Sequence, residues 1–122
     1  MKILYISALL LFLHGCSSIK PEISDINILD TGSDSVGSFC SDFSLTNSKA
    51  YELIGKSRKV EVNEFHNNYE YLPCYVKGTL NKGNSSCNFT IRAGGTVELS
   101  CDDKAGYLYV CDTCDSLLGV RE

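Results

Sequence analysis

Seven cysteines in a chain of 122 residues constrain this fold more than any other feature. A domain of this size buries too little apolar surface to rely on its core alone, so disulfides are the expected supplement. Disulfides also bear on compartment, because they persist in oxidising surroundings and not in a reducing cytosol. The count is odd, and in an exported chain an odd count leaves one cysteine for another purpose. Position separates that one from the rest: Cys16 closes an apolar run, whereas Cys40, Cys74, Cys87, Cys101, Cys111 and Cys114 are spread through the remainder.

Met1-Lys2 supplies a short positive end, and Ile3 to Leu13 is an eleven-residue apolar run followed by His14-Gly15-Cys16-Ser17-Ser18. A membrane-crossing helix takes about 20 apolar residues, so residues 1–15 read as an export signal and not as a span. Leu13, Gly15 and Cys16 resemble the lipobox of a bacterial lipoprotein signal peptide, with His14 at its variable position. The resemblance covers the targeting segment alone. It implies cleavage before Cys16, with lipid of the palmitate class on that thiol and on the new amino terminus. Several acyl chains make a lasting membrane anchor, where one chain binds only reversibly. Ser17, where an Asp would otherwise stand, implies the Gram-negative outer membrane, with the domain facing the periplasm.

Removal of residues 1–15 leaves 107 residues and takes away Lys2, so ten basic side chains stand against fifteen acidic ones, a net charge of −5. That balance disfavours nucleic acid and anionic lipid surfaces as partners. Residues 16–37 are rich in Ser, Asp and Gly and read as the lipidated N-terminus and a flexible tether. Ile23, Ile26, Ile28 and Leu29 interrupt it and are the material for an added strand. Residues 38–122 are then one small disulfide-stabilised domain.

Within that domain Leu45 to Val60 has a helical pattern, with Ser44 or Thr46 as N-cap, a stripe of Ala50, Leu53 and Ile54, and Gly55 as the stop. Beyond it the period becomes two. Leu72, Cys74 and Val76 alternate with polar neighbours, as do Cys87, Phe89 and Ile91, then Val97, Leu99 and Cys101, and residues 107–111 add one more β-rich run. Asn81-Lys82-Gly83-Asn84, Gly94-Gly95 and residues 102–106 supply turn chemistry. The expected fold is α+β: an antiparallel meander of about four strands with one short helix on a face, stapled by disulfides. A hairpin centred on Gly94 pairs positions whose numbers sum to 188, which sets Cys87 directly opposite Cys101. That register requires a three-residue loop, since a two-residue Gly94-Gly95 turn shifts it by one. For Cys40, Cys74, Cys111 and Cys114 the favoured arrangement joins Cys40 and Cys74 each to one member of the Cys111/Cys114 pair.

Little in the chain suggests catalysis. Cys111-Asp112-Thr113-Cys114 has the CxxC spacing of redox centres, but only eight residues follow it, too few for a helix able to depress a thiol pKa. A Cys₄ zinc site from Cys40, Cys74, Cys111 and Cys114 is the metal alternative, disfavoured by an oxidising compartment. His66 is the sole histidine after Cys16 and stands in a polar stretch, Glu64 to Asn68. Asp102-Asp103 and Asp112/Asp115 lack the spacing of a calcium loop. The candidates for a binding surface are Tyr69, Tyr71 and Tyr75, whose rings are apolar and tips polar, together with Arg92, placed to pair with Glu98 or to anchor a partner. Tyr107 and Tyr109 on the last strand share that character.

The stretch from Leu72-Pro73-Cys74 through Ile91-Arg92-Ala93-Gly94-Gly95 to the CxxC also resembles small exported proteins of unassigned role, and that resemblance implies no activity. The expectation is thus a non-enzymatic envelope protein, without cofactor or metal, that binds another protein of the envelope or one arriving there. An immunity or inhibitor lipoprotein is the first form of this expectation, and an assembly or accessory lipoprotein the second. A thiol-disulfide protein using Cys111 and Cys114 is the reading from the enzyme class.

Overall fold

The computed structural model describes residues 22–34, 40, 43–69, 72–102 and 106–118. The expected signal peptide at 1–15, the expected lipidation site Cys16 and the candidate Tyr71 lie outside them. Nine elements follow in chain order: β1 (Ile23–Ser33), α1 (Asn47–Gly55), β2 (Arg58–Val60), α2 (Val62–Asn68), β3 (Cys74–Lys82), β4 (Ser85–Arg92), β5 (Thr96–Cys101), β6 (Tyr107–Val110) and α3 (Asp115–Leu118). The six strands form one sheet in the order β1-β3-β4-β5-β6-β2, antiparallel at every step. The α+β class and the β3–β6 meander agree with expectation, while the strand number is six and not four.

Both extra strands are edges. β1 falls inside the stretch assigned to the tether at 16–37, and corrects that boundary: Ile23 to Ser33 pairs along the whole of β3. Only Ile23 of β1 is buried, so alternation is too weak to mark the strand in the sequence. α1 ends at the expected stop, and β2 takes up the end of the stretch to Val60 whose pattern read as helical. Thr46 caps α1 by accepting from the Lys49 N–H at 3.1 Å, the helix closes at Gly55, and Arg58–Val60 is a three-residue strand on β6.

The sheet has two unlike faces. On one, Val76, Leu80, Phe89, Ile91, Val97 and Leu99 meet Ala50, Leu53 and Ile54 of α1, all at 2% exposure or less. On the other, α2 lays Phe65 over Val60 and Val110, with Tyr69 and Leu108 at the margin. α2 covers the β6–β2 side alone, and Lys77, Ser86, Asn88 and Ser100 of the central strands remain exposed.

The hairpin turns carry the backbone geometry that glycine permits. Gly95 has φ +89° and its N–H donates to the Arg92 carbonyl at 2.9 Å, giving the three-residue loop that the register needs. Pairs Cys87↔Cys101, Phe89↔Leu99 and Ile91↔Val97 all follow the sum of 188.

Candidate functional site

The disulfides come first, because they hold every surface in place. Cys87 and Cys101 are joined, 4.0 Å apart at Cα, as the register requires. Asp102 N–H donates to the Ser86 carbonyl at 3.1 Å, so the neighbouring pair is the hydrogen-bonded one and the cysteines occupy the closer, non-hydrogen-bonded site. The other expected pairing is corrected: Cys40 joins Cys74, and Cys111 joins Cys114. The first bond ties the chain ahead of α1 to the start of β3. The second closes a tight turn after β6, where Cys111 N–H donates to Gly95 O at 2.9 Å and docks the CxxC on the β4–β5 loop. Two separate disulfides also dissolve the four-cysteine zinc alternative. Cys111 is 7% exposed and Cys114 is fully buried, which limits the access of external thiols to the pair.

Around the CxxC lies a polar network that the sequence did not disclose. Arg58 of β2 reaches Asp112 at 2.7 Å and Glu64 of α2 at 2.9 Å. The Tyr69 hydroxyl accepts from Arg58 at 2.9 Å and donates to Asp112 at 2.7 Å. Arg58 first, then Tyr69, holds the Asp112 carboxyl below the usual carboxylate range. The bond to Asp112 and then that to Glu64 raise the guanidinium further, while the Tyr69 hydroxyl is pushed up chiefly by its bond to Asp112. The bonded pairs lie 6 to 54 positions apart in sequence, and no local pattern announces such a cluster.

Of the expected binding residues, Tyr69 is therefore a strut between α2 and the CxxC, half-buried against the small core. Arg92 takes the structural one of its two expected roles, the pairing with Glu98. It is 7% exposed, 2.8 Å from Asp34 and 3.8 Å from Glu98, and it also donates to the Leu72 carbonyl at 3.2 Å. It clamps β1, β4 and β5 from within and is no free anchor. Tyr75 lies across from Arg92, with Lys77 Nζ 4.5 Å from its ring centroid, at the end of the uncovered face. Tyr107 and Tyr109 belong to the α1 side of the sheet, where burial raises the Tyr109 hydroxyl pKa. His66 is exposed on α2. Among the described residues no group of three or more His, Cys, Asp or Glu gathers as a metal site, and no helix is long and apolar enough to cross a membrane.

The surface left open for a partner is the sheet face beside α2. Lys77, Thr79, Asn88, Thr90, Glu98 and Ser100 form it from three adjacent strands, flanked by the acidic β1 edge with exposed Asp25 and Asp30. Comparison of the chain with family models, with curated proteins and with solved structures finds no significant match.

Proposed function

We propose that this chain is a lipid-anchored domain of the Gram-negative envelope, held at the outer membrane by Cys16 and facing the periplasm, that works by binding another protein and not by catalysis. The observation that carries this reading is the cysteine arrangement. The three disulfides use all six cysteines after Cys16, and so leave Cys16 as the one thiol available for lipid. Three disulfides in so short a chain fit an oxidising compartment.

The partner side of the proposal rests on shape and charge. A stapled sheet with an uncovered face is a preorganised surface, which lowers the cost of binding. Exposed Asp25 and Asp30 beside that face favour a partner with a basic surface. An immunity or inhibitor lipoprotein, blocking a basic toxin or wall-cleaving enzyme, is the form that fits these features best. The burial of both CxxC residues supports a structural role for that pair over thiol-disulfide exchange.

Radiolabelled palmitate supplied to a Gram-negative host expressing the full chain tests the anchor. Label should enter the protein and be lost in Cys16→Ser, with the variant released from the membrane fraction; label persisting in that variant removes the anchor. Affinity capture of the lipidated protein from native envelope then tests the partner. A basic protein, eluted by moderate salt, is expected, and an envelope assembly component in its place turns the reading to an accessory lipoprotein.

A further inference from the structure

The uncovered face is not flat at its β1 end. A cavity of about 390 Å³ opens there, lined by Asp25, Asn27, Thr79, Asn81, Ser86 and Asn88 from three neighbouring strands, within the size range of small-ligand sites. Between Ser24 and Asn27 the chain of β1 advances three residues while β3 advances two, from Asn81 to Thr79, so one residue is bulged. Asp25 takes the left-handed backbone there, φ +55°, a conformation costly for a non-glycine residue. The distortion brings its carboxylate to Asn81, whose Nδ2 donates to Oδ2 at 2.9 Å.

The lining is selective by chemistry. Among the described residues the side chains of Asn27, Thr79, Ser86 and Asn88 have no hydrogen bond, so their amide and hydroxyl groups face the cavity and solvent. Asp25 keeps one carboxylate oxygen and Asn81 its amide oxygen as acceptors. No lysine or arginine lines the space, and its one carboxylate in an acidic chain opposes an anion. A single carboxylate is also a poor cage for calcium, which takes 6–8 oxygen ligands. Leu80 and Cys87 contribute backbone, since their side chains are buried on the opposite face at 2% exposure, so the apolar part of the lining comes from backbone and from the carbons of the polar side chains. What remains is a ligand rich in neutral groups that donate and accept at once. The Cys87–Cys101 bond and the paired β3–β4 ladder fix the backbone that carries these side chains beforehand.

We propose that this cavity binds a neutral saccharide, with Asp25 and Asn81 gripping adjacent ring hydroxyls and Asn88 and Thr79 closing the other side. The cavity shares Asp25, Thr79 and Asn88 with the face assigned to the protein partner, but the proposal depends neither on that reading nor on the lipid anchor. Its test is a titration of the full lipidated chain, oxidised and in sugar-free amine-oxide micelles, with cellotetraose and with the β-1,4-linked tetramer of N-acetylglucosamine. Side-chain amide resonances of Asn27, Asn81 and Asn88 are followed by NMR. Saturable shifts with at least one sugar are expected, with Kd of about 1 mM or tighter, weakened at least tenfold by Asn88→Ala and by Asp25→Asn while the backbone spectrum stays folded. Asp25→Gly, which relieves the backbone and removes the carboxylate, should weaken binding in the same way. Absence of saturable shifts with both sugars overturns the proposal, as do shifts of equal strength in the variants, or saturation by calcium chloride or inorganic phosphate and by neither sugar.

Discussion

Arg92, a candidate either to pair with Glu98 or to anchor a partner, takes the structural role. A guanidinium at 7% exposure needs partners for its charge, and it finds the Asp34 carboxylate, Glu98 and the Leu72 carbonyl on three different segments. Arg92→Met keeps much of the volume and removes these charge-assisted bonds. It should cost about 1.5–3 kcal/mol, read as a lower urea midpoint with an unchanged slope. Asp112 makes the opposite case, an exposed residue whose role is electrostatic. Its folded-state carboxyl is held below the ordinary value by Arg58 and Tyr69, so the unfolded chain binds the proton more readily. The stabilisation is therefore present in full above the ordinary carboxylate pKa and is lost as pH falls through the depressed one. Thermal melts of wild type and Asp112→Asn should differ at neutral pH and converge in acid. Because the pair is solvent-exposed, added salt should narrow the difference as well.

At the scale of elements, α2 is the part held most lightly. It is seven residues long, lacks a side-chain N-cap bond, and buries Phe65 alone. Its attachment is the small core of Phe65, Val60 and Val110 plus the Arg58 network. Phe65→Ala should cost about 3 kcal/mol and free α2 locally, so that hydrogen exchange accelerates in residues 62–68 while β3–β5 stay protected. The same thinness explains what the sequence disclosed. α1 was legible because Ala50, Leu53 and Ile54 repeat at helical spacing behind a capping Thr46, and β3–β5 because their apolar residues alternate over whole strands. β2 and α2 were not, since three residues show no period and one buried Phe makes no stripe. β1 was half visible in its isoleucines, but the bulges at Ser24/Asn27 and Ile28/Asp30 break the alternation that would mark a strand. The candidate site divides in the same way. The Cys87–Cys101 bond followed from register, whereas the Cys40–Cys74 bond depends on where the chain ahead of α1 returns, and no periodicity encodes that.

For the whole molecule, the three disulfides are expected to set the redox conditions under which the chain folds. Loop-closure entropy ranks them by sequence separation: 34 residues for Cys40–Cys74, 14 for Cys87–Cys101 and 3 for Cys111–Cys114. The chain-entropy estimate gives about 4, 3 and 2 kcal/mol respectively. Paired Cys→Ser replacements should lower the melting temperature in that order, and equal losses from the longest and the shortest loop would contradict a mainly entropic role. Together the three contributions rival the roughly 5–15 kcal/mol of net stability available to a whole domain. Two of the bonds moreover fix segments outside the meander: Cys40–Cys74 anchors the approach to α1, and Cys111–Cys114 seats the turn that carries Asp112. The chain produced in a reducing cytosol should then be largely unfolded. Exported to an oxidising periplasm, it should be folded, with the dispersed amide spectrum of a packed sheet. Amide NMR and thiol titration on both preparations check this directly. A cytosolic product with six free thiols after Cys16 and a dispersed spectrum would show that the sheet stands without its staples, and would remove the link drawn here between cysteine count and compartment.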